Sequence, residues 1–208
     1  MMRLIYISLL FLSFNSCKSQ TDVNQGQIVG GRCEGCEAIY EFRDKVLLPI
    51  DTLPDFLETK PKIKITGTVF KRDGETPAKN VILYIYHTNR AGLYKPGDTA
   101  TGWENRHGYI RGWIKTEKDG KYTFYTIRPA SYPNSEVPEH IHFIVKEPDK
   151  NEYYIDDIVF SDDPKLTKAE MTALKNRGGS GIVTPEIYKG IKTVERNIIL
   201  GLNIPDYY

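Results

Sequence analysis

From residue 63 the chain alternates apolar and polar positions with the two-residue period of a half-buried strand: Ile63-Lys64-Ile65-Thr66-Gly67-Thr68-Val69-Phe70. Lys71-Arg72-Asp73-Gly74 then supplies a turn. Val81-Ile82-Leu83-Tyr84-Ile85-Tyr86-His87 is a run of strand formers with little alternation, the pattern of a strand buried on both faces. Tyr109 to Thr116 and Lys121 to Thr126 flank Asp119-Gly120, a spacing that predicts a hairpin. His140 to Lys146, Tyr153 to Phe160 and Val194 to Leu200 read as further strands. Short strands separated by turn clusters predict an all-β fold, a β-sandwich. One short helix is expected in the C-terminal half. Asp163 can cap it, Pro164 suits its first position, and Leu166, Ala169, Ala173 and Leu174 share a face that reads as a packing surface. Gly178-Gly179 ends it.

The residues before the strands are of a different kind. Arg3 precedes an apolar run, Leu4 to Phe14, followed by Asn15-Ser16-Cys17. That run is too short to span a bilayer stably and reads as the core of a signal peptide, residues 1–16. A small residue just before a Cys resembles a bacterial lipoprotein cleavage site, which would lipidate Cys17 and make it the new N-terminus. The alternative is an ordinary secretory signal with an incidental Cys. Lipidation is favoured because Cys is otherwise scarce, three in the whole chain. The expected location is therefore outside the cytoplasm, anchored by lipid to a bacterial membrane. Residues 17–31 are polar and rich in Gly and Gln, a tether composition. The domain is then expected over residues 32–208, with Ile39 to Phe56 wrapping it as an arm. Cys33 and Cys36 remain. In an oxidising compartment two such thiols tend to pair, so a small disulfide is expected. Half of a zinc site or a redox pair are the alternatives; the first lacks a second Cys pair and the second lacks a βαβ setting.

A length of 208 residues suits one domain with a core of its own. The net charge of +1 points to no nucleic-acid or polyanion partner. The fourteen tyrosines suggest strand before they suggest chemistry. Tyr122, Tyr125, Tyr153 and Tyr154 are accordingly read as packing residues.

His140-Ile141-His142 is where chemistry enters. On a strand, i and i+2 share a face, so two imidazoles project side by side while Ile141 and Phe143 turn the other way. That spacing suits adjacent positions on one metal, or else two unrelated surface histidines. Its neighbours narrow the choice. Arg90-Ala91-Gly92-Leu93-Tyr94 comes first, then Asp119-Gly120-Lys121-Tyr122-Thr123-Phe124-Tyr125-Thr126-Ile127-Arg128-Pro129-Ala130-Ser131-Tyr132-Pro133, then Pro138-Glu139-His140-Ile141-His142-Phe143. This ordered set resembles the intradiol ring-cleavage dioxygenases, over roughly residues 63–164.

The resemblance implies one non-haem ferric iron per chain, held by Tyr94, Tyr132, His140 and His142, with no organic cofactor. It implies a catechol-type aromatic substrate and dioxygen, cleavage between the two hydroxyl-bearing carbons, and a muconate-type diacid as product. Tyr132 would leave the metal to accept one catechol proton while Tyr94 stays bound. The donor set suits a hard trivalent cation: two tyrosinates and a hydroxide neutralise it, and neutral imidazoles complete the shell. Zinc or copper would more often recruit Cys or a third His. His87 and His107 are read as non-ligands. The chain departs from the family in two places. Val137 stands where the family has an Arg, and Asp157 falls near a strand Gln. Arg106, Arg111 or Arg128 would have to substitute for the missing cation, and Arg111 is the choice because it lies near a family Gly-Arg position. The alternatives to an active enzyme are an iron-binding but inactive relative and a non-enzymatic surface β-sandwich that binds a partner.

Overall fold

The computed structural model describes residues 28–208; the segment expected as a signal peptide, Cys17 and most of the expected tether lie outside them. The strands in chain order are β1 (Ile50–Thr52), β2 (Lys62–Phe70), β3 (Ile82–Tyr86), β4 (Arg111–Lys115), β5 (Lys121–Ile127), β6 (His140–Lys146), β7 (Glu152–Phe160), β8 (Ile182–Val183), β9 (Glu186–Tyr188), β10 (Ile191–Glu195) and β11 (Ile198–Ile199). They form two sheets, as the alternation requires. One has the order β1-β5-β2-β10-β9, with β11 also on β2, and the other has the order β4-β3-β6-β7-β8. Ile63, Ile65 and Phe124 from the first sheet and Leu83, Ile85, Ile141, Phe143 and Ile158 from the second are buried in one cluster. This is a β-sandwich, and its core is the sum of the inward halves of alternating strands.

β3 is covered on both sides, as its unbroken apolar run requires. Leu83 and Ile85 face the sandwich core. Tyr84 faces outward beneath a 3-10 turn, Cys36–Tyr40, whose Cys36, Ala38 and Ile39 pack on Tyr84, Trp113 and Ile144. The N-terminal arm is therefore a third layer over half of the β4-β3-β6-β7-β8 sheet. Cys33 and Cys36 are joined in a disulfide at its start, with Cα atoms 5.7 Å apart.

Four expectations are corrected. The Asp119-Gly120 turn joins no hairpin, because β4 and β5 lie in different sheets. Gly120 is docked on β2: Val69 N donates to Gly120 O at 2.8 Å, and a Cβ on Gly120, whose φ is +67°, would fall 2.5 Å from Val69 O. The turn thus delivers β5 to β2, where Lys121 pairs with Thr68. The helix begins later than Asp163. It is α2 (Lys168–Ala173), following a four-residue α1 (Glu104–His107), and Thr167 caps it by accepting from Glu170 N at 3.2 Å. Asp163 is instead a knot in the preceding turn, accepting from Glu139 N at 2.6 Å and Lys165 N at 2.9 Å. No residue within α2 is buried, so it is not the packing element its apolar positions suggested. The last strand is split into β10 and β11. Finally, packing begins before residue 32. Val29 is fully buried, and its N–H and C=O both bond to the Asn151 side chain, at 2.6 and 3.1 Å.

One core feature departs from apolar packing. Arg196 is 2% exposed, and its guanidinium lies 4.9 Å over the Phe143 ring with no hydrogen-bond partner among the described residues.

Candidate metal centre

Two loops and one strand bring Tyr94, Tyr132, His140 and His142 together. His140 and His142 stand on the outer face of β6, while Ile141 and Phe143 enter the core at 0% and 1% exposure. Tyr94 lies on the loop after β3, and Tyr132 on the loop between β5 and β6. These loops are laced to each other. Thr88 Oγ1 donates to Ala130 O at 2.6 Å, Ala130 N donates to Asn89 O at 3.3 Å, and Arg90 donates to Pro129 O at 2.7 Å. Asn89 Oδ1 also accepts from Ala91 N and Leu93 N, which folds the turn that carries Tyr94. Gly92, at φ +75°, is the contact point. A Cβ there would sit 2.1 Å from Ser131 O, so no other residue lets the two loops meet.

The result is a chain of short contacts. Tyr132 Oη is 2.9 Å from His140 Nε2, Tyr94 Oη is 2.8 Å from His142 Nε2, and the two phenol oxygens are 2.8 Å apart. The far side of each imidazole fixes its tautomer. His140 Nδ1 lies 2.8 Å from Pro138 O, which can only accept, so Nδ1 carries the proton and Nε2 presents a lone pair. His142 Nδ1 lies 3.0 Å from Asp157 Oδ1. Burial acts to raise the Asp157 carboxyl, but His142, His140 and the buried Arg196 outweigh it and hold the group below the usual carboxylate range. An ionised carboxylate accepts only, so His142 Nδ1 carries a proton toward it and Nε2 is the atom turned to Tyr94. Burial holds His140 below the usual imidazole range and hence neutral. Burial, with the neighbouring phenol next, pushes Tyr94 well above the usual phenol range, and burial raises Tyr132 too, so neither ionises unaided. Two phenol oxygens that need a strong positive charge to ionise converge with two imidazole nitrogens, a donor set that a hard cation would complete.

A β-bulge supplies the support. Ile141 pairs with Ile158 but Phe143 pairs with Ile155, so Asp156 and Asp157 together stand opposite His142. His140, His142 and Asp157 also offer atoms within 4.8 Å of one another. Asp157, however, meets the Nδ1 side of His142, away from the phenols, and so orients the ring rather than joining the donor set. Tyr86 stacks on His142 with centroids 4.4 Å apart and on His107 at 3.8 Å. His107 Nδ1 is 3.0 Å from Tyr84 Oη, and buried His87 bonds Thr88 O and Thr126 Oγ1; neither imidazole joins the donors.

A cavity of about 310 Å³ opens over Tyr94, Tyr132 and His142, walled by Tyr86, Trp103 and Arg106. The structure does not bring Arg111 into it. Its guanidinium is held by Glu41 Oε2 at 2.5 Å and Glu104 Oε2 at 3.1 Å, over the Trp113 ring. Arg128 is likewise held by Glu139 and Asp162. Arg106 lines the cavity, paired with Glu34 of the disulfide loop. Val137 is 42% exposed on the other side of His140. Sequence reasoning missed Tyr86, Trp103 and Glu34; only the strand pairing of Tyr86 with His142 would have flagged the first.

Residues 51–184 match the family model described as Dioxygenase. Catechol 1,2-dioxygenase 1 of Acinetobacter lwoffii is 27% identical over 168 residues, 69% of this chain and 52% of that protein. The chain belongs to the intradiol dioxygenase family. It spans about half the length of this curated relative. Hydroxyquinol 1,2-dioxygenase from Pseudomonas putida DLL-E4 shares the fold with TM-score 0.55 at 19% identity, over 76% of this chain and 64% of that one. The dioxygenase domain of a dioxygenase carbohydrate-binding protein fusion from Streptomyces sp. SirexAA-E does so with TM-score 0.52 at 21% identity, over 69% and 82%. The family match starts at Asp51, beyond the disulfide loop.

Proposed function

We propose that the chain holds one ferric iron through Tyr94, Tyr132, His140 and His142, and cleaves a catechol-type ring between its hydroxyl-bearing carbons with both atoms of dioxygen entering the diacid product. The observation that carries this is the convergence of two phenol oxygens and two imidazole Nε2 atoms through contacts of 2.8–2.9 Å, taken with family membership. When bound, the iron would supply a Lewis-acidic centre that accepts electron density from a deprotonated catechol. The chain's own residues do the rest. Asp157 holds His142 with Nε2 toward Tyr94, and the Pro138 carbonyl holds His140 with Nε2 toward Tyr132. Tyr132 Oη, between Tyr94 Oη and His140 Nε2, would be a phenolate with the iron bound and could then take up a catechol proton. The loop lacing through Gly92 holds Tyr94 in place while Tyr132 changes partners. Tyr86 and Trp103 give the cavity an aromatic wall. Arg106 is the cation lining this cavity.

Metal analysis, the visible spectrum and dioxygen uptake on one preparation test the reading. The expected protein contains stoichiometric iron, is reddish from tyrosinate-to-iron charge transfer, and consumes dioxygen with catechol, protocatechuate or hydroxyquinol to give ring-opened diacids. A colourless protein with stoichiometric zinc after growth in ample iron overturns the metal assignment. A red protein inert to all three catechols overturns the activity and leaves an iron-binding relative.

A further inference from the structure

The cavity over the metal donors does not end there. A second cavity of about 220 Å³ shares Glu34, Tyr86 and His142 with it and continues to Asp157 and Tyr154. A third, of about 280 Å³, shares Tyr154 and Asp157 with the second and runs past His140 and Val137 to Leu174, just beyond α2. Through these shared residues the three follow one another as a trench along the outer face of β6 and β7, past both histidines of the donor set.

Tyr154 stands where the second and third compartments meet. Strand alternation turns Tyr153 into the core and Tyr154 outward, where it is 37% exposed. Arg177 packs its guanidinium 4.3 Å from the Tyr154 ring centre. That contact steadies the ring as a platform. The walls around it carry Ile155, Val159 and Leu174, the carboxylates of Asp156, Asp157 and Glu170, and Lys175. Apolar walls suit a flat ring. Carboxylates accept from hydroxyls.

We propose that this trench selects a catechol joined to a second, hydroxyl-bearing ring, with the catechol over the tyrosine and histidine donors and the second ring on Tyr154. This rests on the ring-cleavage reading above and adds the substrate class. Tyr154 is then a specificity-determining residue, and Val137, small and uncharged at the trench wall, leaves the way to it open.

The test uses the full iron-loaded chain without dioxygen. It is titrated with 4-methylcatechol and with catechin, a catechol carried on a second hydroxylated ring system, while the visible absorption is followed; dioxygen uptake is then measured with each. Catechin is expected to bind about tenfold more tightly, the scale of one added aromatic contact. Tyr154→Ala should erase most of that preference, and Tyr154→Phe should keep it, since the ring and not the hydroxyl carries the contact. Equal affinities in the native chain, or a preference that survives Tyr154→Ala, overturn the inference. If 4-methylcatechol is bound and cleaved but catechin is not, the trench reading alone falls. If neither perturbs the spectrum nor consumes dioxygen, ring cleavage falls and takes this inference with it.

Discussion

On one face of β6, Ile141 and Phe143 sit in a core where ring edges and aliphatic groups from both sheets close on them. On the other face, one residue away in each direction, His140 and His142 meet phenols, a backbone carbonyl and a carboxylate. The inward face is specified many times over, because any apolar side chain of suitable volume there is stabilised by burial. The outward face is specified by single contacts. It depends on one bulge for Asp157, one glycine for the meeting of two loops, and one stacked ring for His142. A strand can thus serve as scaffold and site together, with its stability carried by one face and its chemistry by the other.

Adjacent substitutions break this comparison most directly. His142→Ala should abolish stoichiometric metal and colour, yet move the stability of the metal-free protein by only about 1 kcal/mol or less, since the side chain is partly exposed. Phe143→Ala should cost roughly 3–5 kcal/mol by opening a cavity beside Tyr122 and Phe124. Urea denaturation of the metal-free proteins, with metal analysis of each, checks both. If the two variants lose stability equally, the faces are not separable.

A smaller effect is expected at Asp157. In Asp157→Asn the hydrogen bond to His142 Nδ1 survives but its charge does not, so metal affinity should fall by about 10–100-fold, the scale of such supporting contacts. Competition with a chelator measures it. An unchanged affinity would show that Asp157 does not act through the imidazole.

The smallest effect is a pH dependence seated away from the donors. Burial holds His87 and His107 at about 4, below the ordinary imidazole value of 6.5. Both stay neutral in the folded chain, whereas the unfolded chain takes up a proton at each below about pH 6.5. Stability is therefore full above that pH, falls as pH drops toward 4, and levels off below it, by roughly 1–3 kcal/mol for each group. Urea midpoints at pH 7, 5.5 and 4 should show the fall in the native protein and a reduced fall in His87→Gln. A native midpoint that does not move across this range would show that neither imidazole is held neutral.

The strands from Ile63 to Phe160 were legible because their residues carry a local signal. Alternation marked β2, an unbroken apolar run marked β3 as covered on both sides, and the His-x-His pair marked β6. The four candidate ligands were legible as a motif set in order along the chain. The Asp119-Gly120 turn was misread because a turn sequence sets a local bend and not the sheet that receives the next strand. The helix was misplaced because Thr167 and Asp163 are both good caps, and Asp163 was already committed to Glu139 N. Arg111 was chosen for its place in the chain, whereas Glu41, far away in sequence, takes its charge.

By itself, the sequence determined which residues face the core, that the fold is a β-sandwich, and that two tyrosines and two histidines are available as hard-metal donors. These follow from side-chain periodicity and from donor chemistry, which are properties of neighbouring residues. Only the tertiary structure decided that the four donor atoms converge, that Asp157 faces His142 across a bulge, that Arg106 rather than Arg111 lines the cavity, and that Tyr154 marks the junction of the compartments beyond it. Each of these is a meeting of segments tens of residues apart. Strand register, loop lacing and the arm over β3 set such meetings, and no local pattern along the chain records them.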